Sequence, residues 1–146
     1  HNDFKYDNLV LSNDGEYDVL AILDWEMATL GDPLMDLGTS LGYWIDRTDP
    51  ENIQQNNFNI TTAEGNLNRG EIVSLYSNES KLDVSNIVFY YVFGLFKIAV
   101  IIQQIFYRYK LGKTLDERFK DLDKIVKLYG IMGKQAIDKN SIDNLF

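Results

Sequence analysis

The chain has 146 residues, enough for one domain with a core of its own. Acidic residues outnumber basic ones 22 to 14, a net charge of −8, which argues against a nucleic-acid binder because that function needs a basic face. With no cysteine and one histidine, these residues can form neither a disulfide, nor a thiolate metal site, nor a multi-histidine site.

Residues 1–8 are polar and read as a loop. Leu9-Val10-Leu11 and Val19-Leu20-Ala21-Ile22-Leu23 are apolar runs on either side of the turn signal Asn13-Asp14-Gly15, which predicts a small antiparallel hairpin. Gly31-Asp32-Pro33 marks a break, and Asp36 to about Trp44 suits a short helix. Residues 46–70 are polar with little periodicity and read as a loop leading into a helix near 69–78.

Residues 84–110 are strongly apolar. Lys97 interrupts the run and Gln103-Gln104 follow, so it reads as a buried core helix ended by Gly112, not as a membrane span. Core packing is likewise the expectation for Phe89, Tyr90, Tyr91 and Phe93 within it. Thr114-Leu115-Asp116-Glu117 is a capping-box pattern. Leu115, Phe119, Leu122, Ile125, Val126, Tyr129, Met132 and Ala136 then recur at helical spacing and predict a long final helix. The fold expected is mainly α with a small β-hairpin at its start.

The chain begins at His1 rather than at methionine and is read as a segment of a longer protein. No signal-peptide pattern is visible, so a cytoplasmic location is the expectation, with no membrane partner.

Phosphoryl transfer needs a carboxylate beside the attacking hydroxyl, oxygen ligands for magnesium and cations for the phosphate oxygens. Kinase catalytic loops supply these as His-x-Asp with an Asn five residues after the Asp; a second Asp follows a short hairpin. The run His1-Asn2-Asp3-Phe4-Lys5-Tyr6-Asp7-Asn8 has that spacing between Asp3 and Asn8, and Asp24 comes sixteen residues later, just past an apolar strand. A hairpin would return Asp24 to the same end as Asn8, so that two hard oxygen ligands could share one magnesium while Asp3 faces the acceptor. A lone His-x-Asp is common, and Asp24 alone could be a helix cap. The joint pattern is much rarer.

The runs His1 to Leu9 and Leu23 to Gly38, the second containing Leu23-Asp24-Trp25 and Gly31-Asp32-Pro33, resemble the aminoglycoside and choline kinase-like phosphotransferase family. Within it they look most like the branch related to the kinase domain fused to some acyl-CoA dehydrogenases. The resemblance implies the C-terminal lobe of a protein-kinase-like fold spanning residues 1–146, and ATP-dependent phosphoryl transfer to a hydroxyl of a small molecule. Asp3 would be the catalytic base or hydroxyl-orienting residue. Asn8 and Asp24 would bind Mg2+ and, through it, ATP. Lys5 matches a position where many protein kinases place a phosphate-contacting lysine. His1 would orient the loop, and Asp36 would hold it from the following helix. Asp7, Glu26 and Asp32 are expected to cap or bond locally, and Trp25 to pack beneath the loop.

Asn2 stands where the family commonly has glycine, a tolerable exchange if the backbone needs positive φ. No glycine-rich phosphate loop is present, since Gly38, Gly42, Gly65 and Gly70 are too scattered. The N-terminal nucleotide lobe is therefore an expected partner outside these residues, beside the hydroxylated acceptor. Without that lobe the isolated chain is expected to be inactive and to self-associate. The alternative is a kinase-derived binding or structural module that performs no transfer.

Overall fold

The computed structural model describes residues 1–55 and 60–146. The part of the 46–70 loop expectation that falls on 56–59 lies outside the described residues. β1 (Leu9–Leu11) and β2 (Val19–Ile22) form an antiparallel hairpin, with Leu9 opposite Ile22 and Val10 opposite Ala21. Asp14 shapes its turn by accepting from the Ser12 hydroxyl at 2.6 Å and from the Glu16 N–H at 3.1 Å.

Among the described residues five α-helices follow: α1 (Pro33–Gly42), α2 (Glu51–Gln54), α3 (Arg69–Ser80), α4 (Ile87–Lys110) and α5 (Leu122–Lys139). α1 starts three residues before the expected Asp36 because Asp32-Pro33 is a start signal as well as a break. The Asp32 carboxylate accepts from the Leu34 N–H at 2.9 Å, and Pro33 takes the first helical position, where its missing N–H costs nothing. α3 begins where expected, on a capping box between Asn68 and Glu71.

The Thr114 capping box does not form. Asp116 instead accepts from the Arg118 N–H at 3.0 Å, closing a single 3-10 turn over Glu117–Phe119. Leu115 is left 85% exposed, and α5 begins only at Leu122. The local pattern was right for a helix start, but the cap falls two residues later, on Asp116.

α4 is the spine, packed between α1 and α5. It is long and apolar enough to cross a membrane by length and composition, yet its Tyr91, Leu95, Ile98 and Ile102 are buried in protein. They meet Leu37 and Leu41 of α1 and Tyr129 and Met132 of α5 in one core. Phe89 and Phe93 depart from the core expectation, at 62% and 38% exposed.

Two glycines set the distance between α1 and α4. A Cβ on Gly94 would overlap the Gly38 carbonyl, and one on Gly38 would overlap the backbone carbonyl of Tyr90. The helices therefore touch backbone to backbone. On the far side, fully buried Arg69 takes both Asp49 oxygens at 2.9 Å and one from Asp46 at 3.1 Å. It also donates to the Ile142 carbonyl at 2.8 Å, joining α3 to the 44–49 turn and the C-terminal tail. Burial raises the Asp46 pKa to about 6, against the pull of the Arg69 charge.

The close crossing gives a test with an internal control. Gly94→Ala is expected to lower stability by about 1–3 kcal/mol through overpacking. Gly130→Ala in α5, whose added methyl meets nothing within 4 Å, is expected to raise it by up to about 1 kcal/mol. Denaturant unfolding of both variants reads the contrast, and equal effects would contradict the crossing.

Candidate active site

The loop before β1 is fastened from three directions. Asp36, in the first turn of α1, accepts from the backbone nitrogens of His1 and Asn2, each at 2.8 Å. Asn2 has φ 64, the left-handed conformation that its replacement of glycine allows. Its amide donates to the Met27 carbonyl at 3.1 Å, and its own carbonyl accepts from Lys97 Nζ of α4 at 2.6 Å. The His1 ring bridges the Asp3 N–H, accepted by Nδ1 at 3.2 Å, and the Leu23 carbonyl at 2.8 Å from Nε2. With Nδ1 accepting, the proton sits on Nε2, so the ring orients the loop.

Asp3 is thereby presented with both carboxylate oxygens engaged. Oδ1 accepts from the Tyr43 hydroxyl at 2.9 Å. Oδ2 pairs with Lys5 Nζ at 3.0 Å and accepts from Asn8 Nδ2 at 3.3 Å. Burial first, and then the Asp3 charge, push the Tyr43 pKa above its usual value, so the phenol stays a donor. The Lys5 ammonium also lies 4.9 Å from the centre of the Tyr43 ring.

The hairpin brings the other two residues to this end. The Leu23 N–H donates to the Asn8 carbonyl at 2.8 Å, extending the ladder one step beyond Leu9 and Ile22. Asp24 is the next residue, exposed and left-handed at φ 63. Asn8 is buried and donates through Nδ2 to the Asp3 carbonyl at 2.8 Å, which turns its Oδ1 away from Asp3. Asn8 Oδ1 and the Asp24 carboxylate are hard oxygen donors of the kind magnesium takes. Among the described residues no group of three or more His, Cys, Asp or Glu could hold a metal. An ion on Asn8 and Asp24 would draw its remaining ligands from water or phosphate.

A cavity of about 380 Å³ is lined by Lys5 and Tyr43, both bonded to Asp3. Phe4, Leu37, Trp44 and Tyr76 are among its other walls. Of the residues expected to bond locally, Asp32 caps α1 and accepts from the Tyr90 hydroxyl at 2.6 Å. Trp25 lies against His1, ring centres 4.7 Å apart, but it is 55% exposed and does not pack beneath the loop. Tyr43 and Lys97 were not anticipated. Tyr43 follows Asp36 by seven residues, two helical turns, and so shares its face, a spacing that could have exposed it. Lys97 was read only as a break in an apolar run.

Residues 1–64 match the phosphotransferase enzyme family, and they hold the loop, the hairpin and α1. Residues 1–64 belong to the phosphotransferase enzyme family. Acyl-CoA dehydrogenase family member 11 of Gallus gallus is 32% identical over 148 residues, covering 99% of this chain and 19% of that protein. The Rattus norvegicus protein of the same name is 37% identical over 125 residues, covering 80% and 15%. Probable acyl-CoA dehydrogenase IBR3 of Arabidopsis thaliana is 32% identical over 118 residues, covering 78% and 14%. The chain thus spans less than a fifth of the length of these relatives. No solved structure matches it.

If the Asp36 carboxylate is what fastens this phosphotransferase loop, Asp36→Asn sets an amide N–H against a backbone donor. Stability is then expected to fall by about 1–3 kcal/mol. Denaturant unfolding measures it, and an unchanged midpoint would contradict the role.

Proposed function

We propose that these residues are the catalytic lobe of an ATP-dependent kinase that phosphorylates a hydroxyl on a small molecule with an acyl body. The observation that carries the reading is Asp3, held by Tyr43, Lys5 and Asn8, the first two of which line an apolar cavity. The acceptor's hydroxyl enters from the cavity and gives its proton to Asp3 as its oxygen bonds to the γ-phosphorus. The bond from that phosphorus to the bridging oxygen breaks, and ADP leaves with the electron pair. Lys5 exchanges its pairing with Asp3 for the transferred phosphoryl oxygens. Asn8 and Asp24 hold Mg2+, which when bound offsets the phosphate charge.

The acceptor class follows from the aromatic and aliphatic walls of the cavity. The relatives' name, acyl-CoA dehydrogenase family member, points the same way. A nucleotide-binding lobe is the proposed partner. The hairpin presents Val10, Leu20 and Leu23 to solvent, an apolar surface such a lobe would cover. A cytoplasmic location belongs to the same proposal, as does self-association of the isolated chain through this surface.

The test is ATP consumption with hydroxylated medium-chain fatty acids and their CoA thioesters, run on the full-length protein and on residues 1–146 alone. The full-length protein is expected to turn over and the segment not. Asp3→Asn should lower kcat by about 100-fold or more with nucleotide affinity little changed. Asp24→Ala should damage both nucleotide binding and turnover. An unaffected Asp3→Asn enzyme would overturn the catalytic assignment in favour of a non-catalytic module. Robust turnover by the segment would overturn the need for a second lobe.

A further inference from the structure

We propose that Lys97 is a positioning residue for this site, acting from the middle of α4 by fixing the peptide plane that precedes Asp3. The inference rests on the phosphotransfer reading above for its consequence, and on geometry alone for its mechanism.

The lysine stands inverted on its helix. Over residues 87–110 the only other charged side chains are Arg108 and Lys110, in the last turn. Phe89 and Phe96 are turned to solvent at 62% and 65% exposed, while Lys97 is turned inward and partly buried. A lysine kept for solubility would take the outward position. Burying an ammonium is costly unless a partner is supplied. Burial pulls the Lys97 pKa below its usual range, and the Asp3 and Asp36 carboxylates resist that fall.

What the ammonium holds is specific. The Asn2 carbonyl and the Asp3 N–H belong to one peptide unit and point in opposite directions. Lys97 Nζ donates to the carbonyl at 2.6 Å, and His1 Nδ1 accepts from the N–H at 3.2 Å. The unit before it is held by Asp36 through the Asn2 N–H at 2.8 Å. A left-handed asparagine between two such units is strained and persists where its surroundings over-determine it. The carbonyl end of the Asp3 peptide is the one that α4 controls. Without the ammonium, that carbonyl would face a recess lined by Met27, Met35 and Phe93, and flipping the unit would re-aim the Asp3 carboxylate.

The charge has a second consequence. Lys5 pairs with Asp3 in this state and is the cation proposed to move to phosphate. Lys97 is held in place by its 2.6 Å bond to the Asn2 carbonyl. It remains the fixed positive charge beside Asp3 and Asp36 after Lys5 has left.

The test uses Lys97→Met, which keeps the stem, and Lys97→Arg, which keeps the charge, in the full-length protein. With an acceptor that supports turnover, Lys97→Met is expected to lower kcat by about 10- to 100-fold while KM for ATP stays unchanged. Lys97→Arg is expected to recover most of that loss. In parallel, hydrogen–deuterium exchange without nucleotide or acceptor should show the 2–8 amides exchanging faster in Lys97→Met. The amides of α4 and α5 should keep their protection. The exchange arm needs no reaction, so it decides the positioning claim even if every acceptor fails and the phosphotransfer reading falls. Native kcat with native loop exchange in Lys97→Met would overturn the inference. So would protection lost equally across α4 and α5, which is the mark of a packing role, or an arginine variant as impaired as the methionine one.

Discussion

Where α1 passes α4, the Gly38 carbonyl occupies the space in which a Gly94 side chain would have to stand. That contact decides more than helix packing. α1 brings Asp36, with Tyr43 just past its end, and α4 brings Lys97. All three reach the eight-residue loop through bonds of 2.6 to 2.9 Å. Hydrogen bonds that short tolerate little change in helix separation. If the helices stood a methyl group further apart, Asp36 and Lys97 could not both hold Asn2. The paired glycines are thus a requirement of the site as much as of the core.

The site stores strain at two points and distributes the restraint. Asn2 and Asp24 both take left-handed backbone, one in the loop before β1 and one just past the hairpin. Such conformations cost on the order of 1–3 kcal/mol each for residues other than glycine. Asn2 is restrained by α1, α4 and the segment after β2. Asp24 sits between the hairpin ladder and the turn over Trp25–Met27, and its side chain makes no capping bond. An unspent carboxylate on a strained backbone, next to a buried Asn8, suits a role filled only when a cation arrives.

Much of this was legible in the sequence because it is local. The hairpin followed from two apolar runs around Asn13-Asp14-Gly15, and the spine from an apolar stretch too long for a loop. Asn2 was read as able to take a positive φ if the backbone needs one, and it has φ 64. What was missed depends on long-range placement. Nothing near Lys97 in the sequence says that it faces a carbonyl 95 residues away. Nothing near Arg69 marks it as fully buried between Asp46 and Asp49. The 46–70 stretch looked like loop because it is polar and lacks periodicity, yet Asp46, Asp49 and Arg69 within it are buried. Thr114 failed for the opposite reason: its local pattern was genuine, and the cap fell instead on Asp116, two residues on. The aromatics of α4 show the limit of composition, which counts Phe89 and Tyr91 alike although only the second is in the core.

The central claim is that the hairpin gathers Asn8 and Asp24 into one cation site beside Asp3. A crystal structure of the full-length protein with magnesium and a non-hydrolysable ATP analogue tests it most directly. The account predicts one magnesium ligated by Asn8 Oδ1 and an Asp24 oxygen, each at about 2.1 Å, its remaining ligands coming from phosphate and water. A nucleotide bound with its magnesium held by other side chains, Asn8 and Asp24 making no contact with it, would contradict the account.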